Sequence, residues 1–215
     1  MKDRSDYARK GIGRGKSVVA LEYSDGLLFL AENPSATLHK ISEIYDRISF
    51  AGVGKYSEFE DLRISGIRLA DYRGFAYGRE DVNAKTLANA YSQALSAIFT
   101  QQMKPFDVEI LVGQVGDTPA ENELYHVLFD GSVTDEHGFV GIGGRAEDLT
   151  QHLQDSFKEG WDLKAAVRAA VTALAETEER EVPADQTEAA VLDRNRSRRK
   201  FRRLTDDDVA SLLSS

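Results

Sequence analysis

The chain has 215 residues, 41% of them hydrophobic, which supports one large folded domain with a real core. A net charge of −9 argues against binding nucleic acid over the whole surface, and the absence of cysteine excludes disulfides, thiol chemistry and Cys-type zinc sites. The longest apolar runs are about as short as LLFLA, far below the ~20 residues of a membrane helix, and MKDRSDYARK has no apolar signal region, so the expectation is a cytoplasmic protein with no membrane partner.

The first predicted element is a short helix over residues 5–15, ending in GIGRG. With Lys16 and Ser17 this stretch looks like a phosphate-binding loop, whose pattern is G-x-x-x-x-G-K-[ST] between a strand and a helix. Here Lys10 occupies the place of the first glycine, and the order is inverted: SDYARK before the loop is helix-like, VVALEY after it strand-like. GIGRG is therefore read as a flexible joint leading into the first strand of a sheet. Residues 17–23 and 27–32 are apolar runs joined by Ser24-Asp25-Gly26, a strong hairpin signal. A third strand, 47–54, follows a short polar connection.

Two helices come next. The first covers 57–72, with Phe59, Leu62, Gly66 and Leu69 on one face. The second starts at an N-cap assigned to Asp81, repeats Leu87, Tyr91, Ala94, Leu95, Ile98 and Phe99 at three- and four-residue steps, and closes at Pro105. Strands return at 107–115, 124–129 and 138–143, with Asp130-Gly131 as a second hairpin signal. Helices are predicted at 145–157 and 162–175. Residues 176–188 are acidic and without period, and read as an exposed loop. Strands at 189–193 and 200–204 precede a terminal helix, 206–213, capped by Thr205 with three aspartates at the positive end of its dipole. Hairpins dominate, and each of two β blocks is followed by a helix pair. An α+β fold of two largely antiparallel sheets, face to face with helices outside, is the expected architecture for a single domain over 1–215.

Five strings sharpen this reading: YARKGIGRGKSVVALEYSDGLLFLAENPSATLHKISEIYDRISFAGVGKYSEFEDLR, LANAYSQALSAIFTQQMKPFDVEILV, LYHVLFDGSV, GFVGIGG and AAVLDRNRSRRKFRRL. They closely resemble the proteasome α subunits of actinobacteria, over nearly the whole chain. The resemblance implies the four-layer α-β-β-α sandwich of the N-terminal-nucleophile hydrolases. It also implies a seven-membered ring of neighbouring α subunits, stacked on rings of catalytic β subunits. Such a ring gates the passage of unfolded protein substrates and docks ATPase or ATP-independent activators through their C-terminal tails. No cofactor and no metal are implied.

An active member of that fold exposes a threonine as a new N-terminus, with its free amine near a lysine. The position matching that threonine is Lys16, preceded by what resembles the permanent first helix of the α subunits. Glu32 and Lys40 match the acidic residue and the lysine that pair in active members. The expectation is an enzyme fold without its nucleophile. The alternative is an active peptidase or amidase processed before Ser17, at the cost of that helix.

In α subunits the position of Lys40 lines a pocket between neighbours and pairs with an activator's C-terminal carboxylate, a role that suits a flexible ammonium. Gly15 matches a glycine whose backbone approaches the tail, Lys55 falls at the rim, and Asp6 and Tyr7 match an acidic–aromatic pair near the gate. Family members carry a longer tail before the first helix, whereas only MKDRSD precedes Tyr7, so a trimmed or minimal gate is expected. The basic run Arg194, Arg196, Arg198, Arg199, Lys200, Arg202 and Arg203 is read as a solvated strand edge, since Phe201 alone makes a poor platform for stacking bases. The four histidines have no metal-ligand spacing.

Overall fold

The computed structural model describes residues 2–214. Met1, where the predicted N-terminal segment 1–16 begins, and Ser215 lie outside them.

Ten strands and six α-helices are present among the described residues. In chain order they are α1 (Lys2–Ile12), β1 (Val18–Tyr23), β2 (Gly26–Glu32), β3 (Ile41–Tyr45), β4 (Ile48–Gly54), α2 (Tyr56–Ala76) and α3 (Ala84–Gln101). Then follow β5 (Val108–Gln114), β6 (Glu123–Val127), β7 (Val133–Asp135), β8 (Phe139–Ile142), α4 (Ala146–Ser156) and α5 (Leu163–Glu178). The chain ends in β9 (Thr187–Asp193), β10 (Phe201–Leu204) and α6 (Asp206–Ser214). One sheet runs β10-β9-β2-β1-β8 and the other β3-β4-β5-β6-β7, and every pairing is antiparallel.

The central strands are apolar on both faces because both faces are covered. In β1, Val18 and Ala20 point into the core between the sheets, while Val19 and Leu21 meet α4 and α5. In β5, Leu111 faces the inter-sheet core, and Ile110 and Val112 pack under α2 and α3. The α+β four-layer α-β-β-α sandwich follows from this double burial. Helix α1 closes one end, driving Ala8 and Ile12 into the inter-sheet core.

Several local expectations are corrected. Helix α1 ends at Ile12, and Gly13–Gly15 form a turn. That junction is close-packed: neither glycine of the turn has positive φ, and a Cβ on Gly11, in the last turn of α1, would lie 2.6 Å from the Asp107 side chain. The connection before the third predicted strand contains β3, whose period of two is broken by a bulge between Glu43 and Tyr45. Helix α3 is capped by Asn83, whose side-chain Oδ1 accepts the Thr86 N–H at 2.9 Å, while Asp81 ends a preceding 3-10 turn. The Asp130-Gly131 turn leads from β6 into the short β7, with β8 pairing instead to β1 in the other sheet. Residues 176–188 are not simply an exposed loop. Helix α5 runs on to Glu178 with Thr177 buried, and β9 begins at Thr187 with Glu188 buried.

At the C-terminus, Asp208 N–H donates to Thr205 Oγ1 at 3.1 Å and Thr205 N–H donates to Asp208 Oδ2 at 2.9 Å, a reciprocal cap of α6. No helix of the described residues is long and apolar enough to cross a membrane.

Candidate functional site

Strand β2 ends at Glu32, and an irregular loop carries the chain over to Lys40, immediately before β3. Three hydrogen bonds fix Lys40. Its N–H donates to Glu188 Oε2 at 2.9 Å, its carbonyl accepts Gly52 N–H at 3.0 Å, and its ammonium donates to the Lys16 carbonyl at 2.7 Å. Burial lowers the pKa of Lys40 from 10.5 to about 8, against the opposing pull of the Glu188 and Glu32 carboxylates.

The resemblance expects Glu32 to pair with Lys40, and the structure corrects this. Glu32, buried at the end of β2, forms ion pairs with the Arg180 guanidinium and, at 3.5 Å, with the Lys16 ammonium. Lys16 also reaches Glu178 at 3.5 Å. The lysine at the nucleophile's position thus takes the carboxylate, and Lys40 turns to the backbone of that same residue. Lys16 continues from the turn after α1, so its backbone nitrogen is an amide and not a free α-amine. Ser17 beside it is 2% exposed.

Gly15, Lys40 and Lys55 meet at one end of the sandwich. A Cβ on Gly15 would sit 2.8 Å from Val53 Cγ1 and 3.2 Å from the Gly54 nitrogen, so only glycine lets the turn close on β4. Lys55 follows β4, with its ammonium 3.3 Å from Glu58 Oε1 and its side chain largely in solvent. Asp6 and Tyr7 are exposed on α1. The Lys104 ammonium stands 5.4 Å from the centre of the Tyr7 ring and donates to Glu58 Oε1 at 2.8 Å. Burial raises the pKa of Glu58, but hydrogen bonds from Lys104, the Asp107 N–H and Lys55 outweigh it and the net shift is downward.

Four residues that organise this end were not visible as such in the sequence: Glu188, Arg180, Glu58 and Lys104. Their long-range hydrogen bonds span 46 positions (Lys104–Glu58) to 155 (Asn33–Glu188), beside the nearer Lys55–Glu58 and Arg203–Glu188 pairs. For Glu188 and Glu58 the available signal was a carboxylate at an otherwise apolar strand or helix boundary; Arg180 and Lys104 carried none.

The basic run is largely committed inside the chain. Arg199 pairs with Glu43, Arg202 with Asp208 and Arg203 with Glu188, while Arg194 and Lys200 donate to backbone carbonyls.

The two antiparallel sheets, the helix ahead of β1 and the Lys16–Lys40 contact define an α-β-β-α sandwich protein with a peptide-bonded lysine at the head of its first strand. The family model described as Proteasome subunit matches residues 12–192, and the chain belongs to that family. Among curated proteins it is 52% identical to the proteasome subunit alpha of Frankia alni, covering 100% of this chain and 92% of that one. It is 54% identical to the proteasome subunit alpha of Thermomonospora curvata, over 100% of this chain and 94% of the relative. The corresponding figures for Streptosporangium roseum are 55%, 100% and 83%. These relatives put the chain on the α side of the family.

Proposed function

We propose that this chain is a non-catalytic α subunit that assembles into heptameric outer rings on β-subunit rings in the cytoplasm. There it gates the entry of unfolded proteins and docks activators for degradation by the β subunits. The observation that carries the non-catalytic reading is the contact between the Lys40 ammonium and the Lys16 carbonyl. The lysine that would tune an N-terminal nucleophile instead hydrogen-bonds the main chain of Lys16, a residue with neither a free α-amine nor a hydroxyl. An amide nitrogen cannot serve as the base that such catalysis requires. Processing before Ser17 would also strip off α1 and uncover the core around Ala8 and Ile12.

Lys40 is the residue assigned to an activator's C-terminal carboxylate, with Gly15 and Lys55 flanking it and Asp6 and Tyr7 coupling α1 to the gate. A partly desolvated ammonium on a fixed backbone suits a carboxylate, because burial strengthens the attraction and the geometry is set beforehand. Purification of the chain together with its β partner tests both parts. The expected result is a very large particle whose α chain keeps its N-terminal segment and is not trapped by a threonine-directed inhibitor. Lys40→Ala is expected to abolish stimulation by an activator with a free C-terminus while the particle's mass is unchanged. Inhibitor trapping at Ser17, or full stimulation of Lys40→Ala, overturns the corresponding part.

A further inference from the structure

We propose that Glu188 is the positioning residue for Lys40: its buried carboxylate clamps the two peptides that flank Lys40 and so fixes where the ammonium meets a free C-terminal carboxylate. The proposal rests on the reading of Lys40 as a carboxylate receptor.

Glu188 lies on β9, 8% exposed, between the sheet and the 33–40 loop. Its two oxygens divide the work. Oε2 accepts Lys40 N–H at 2.9 Å and the Asn33 amide at 2.7 Å, while Oε1 accepts Ile41 N–H at 3.0 Å and Arg203 Nη1 at 2.6 Å. His39 Nδ1 stands 3.5 Å away. Asn33 begins the loop and Lys40 ends it, so one carboxylate ties both ends. Asn33 Nδ2 also donates to the Leu38 carbonyl at 2.7 Å, and Arg203 Nη2 donates to the Ile41 carbonyl at 2.6 Å. The arginine from the basic run therefore holds the carboxylate and the start of β3 together.

Hydrogen bonds to an ionised acceptor are shorter and stronger than neutral ones, and a buried acceptor with several fixed donors has little freedom to move. Glutamine keeps the shape but replaces one acceptor with an NH₂ group. That group would face N–H donors, so one side of the clamp is lost. Glu188 is also the foremost charge favouring the charged form of Lys40 against its burial. Both effects act on Lys40 without Glu188 touching the incoming tail.

The test uses the assembled particle and a peptide copying the activator's C-terminal tail, with its C-terminal amide as the control. Peptide hydrolysis is followed as a function of tail concentration. Glu188→Gln is expected to raise the half-saturating concentration about tenfold, leave the response at saturation in place and narrow the preference for acid over amide. Glu188→Asp, which keeps the charge, is expected to recover part of the shift. If Glu188→Gln does not assemble, Asn33→Ala removes one donor from the same carboxylate and is expected to raise the half-saturating concentration about threefold. A Glu188→Gln curve that superimposes on the wild type, while Lys40→Ala loses the acid-over-amide preference, overturns the positioning role alone. So does a lower maximum at an unchanged half-saturating concentration, the mark of a merely structural residue, or an Asn33→Ala curve that does not move. Retention of the acid-over-amide preference by Lys40→Ala removes the underlying reading, and the proposal with it.

Discussion

Two lysines at the same end of the molecule are held in opposite ways. Lys40 is anchored at its N–H, carbonyl and ammonium, partly out of water, with its pKa brought down to about 8. Lys55 reaches out from the end of β4 to Glu58 at 3.3 Å, and its ammonium remains open to solvent. On the proposed reading, burial makes the first a preset receptor whose loss costs much, whereas the second is an adjustable rim charge, weakened by salt.

The largest expected effect is at the anchored lysine. Lys40→Ala should weaken binding of a free-carboxylate tail at least thirtyfold, since truncating one partner of a buried charge pair costs about 2–5 kcal/mol. Fluorescence anisotropy on assembled particles measures this directly. Gly15→Ala should destabilise the chain by about 1–3 kcal/mol, because the new methyl meets both Val53 and the Gly54 backbone. Thermal unfolding reads that loss, and an unchanged transition would show that the turn can relax.

Tail binding through Lys40 should also depend on pH. Lys40 is charged below about 8 and neutral above it, so tail affinity should fall as pH rises through 8, by up to about tenfold per unit. Folding stability moves the other way. The unfolded chain holds this proton up to a pKa near 10.5, so the Lys40 contribution makes stability rise with pH between about 8 and 10.5. A pH titration of binding and of unfolding should thus give slopes of opposite sign. Lys55→Ala is the smallest effect: about 1 kcal/mol or less, or roughly fivefold at most, and shrinking further as salt is added. A Lys55 effect as large as that of Lys40 would erase the contrast between receptor and rim.

The same contrast explains what the sequence revealed. Strands buried on both faces, such as VVALEY and GLLFLAE, announce themselves as apolar runs, and the Asp25-Gly26 turn between them is legible locally. Strand β3 hides because its bulge puts the buried Ile41 and Ile44 three residues apart, which is not a strand's period. The exposed three-residue β7 carries no apolar signal. The end of α5 reads as loop because Ala175-Glu-Thr-Glu178 is acidic, although Thr177 is fully buried and its hydroxyl donates to the Ala173 carbonyl. At the site, Lys40 and Gly15 were visible only through the resemblance. Glu188 was not visible as a clamp, because three of its donors come from the 33–41 segment, distant in sequence, and its role exists only once β9 pairs with β2.

The most direct test of the central claim is the binding of one tail peptide in two forms, free acid and C-terminal amide, to particles carrying wild-type or Lys40→Ala chains. The expected result is strong preference for the acid in the wild type and no preference in the variant. Equal binding of acid and amide to the wild type, or an undiminished preference in Lys40→Ala, would contradict the assignment of Lys40 as the carboxylate receptor.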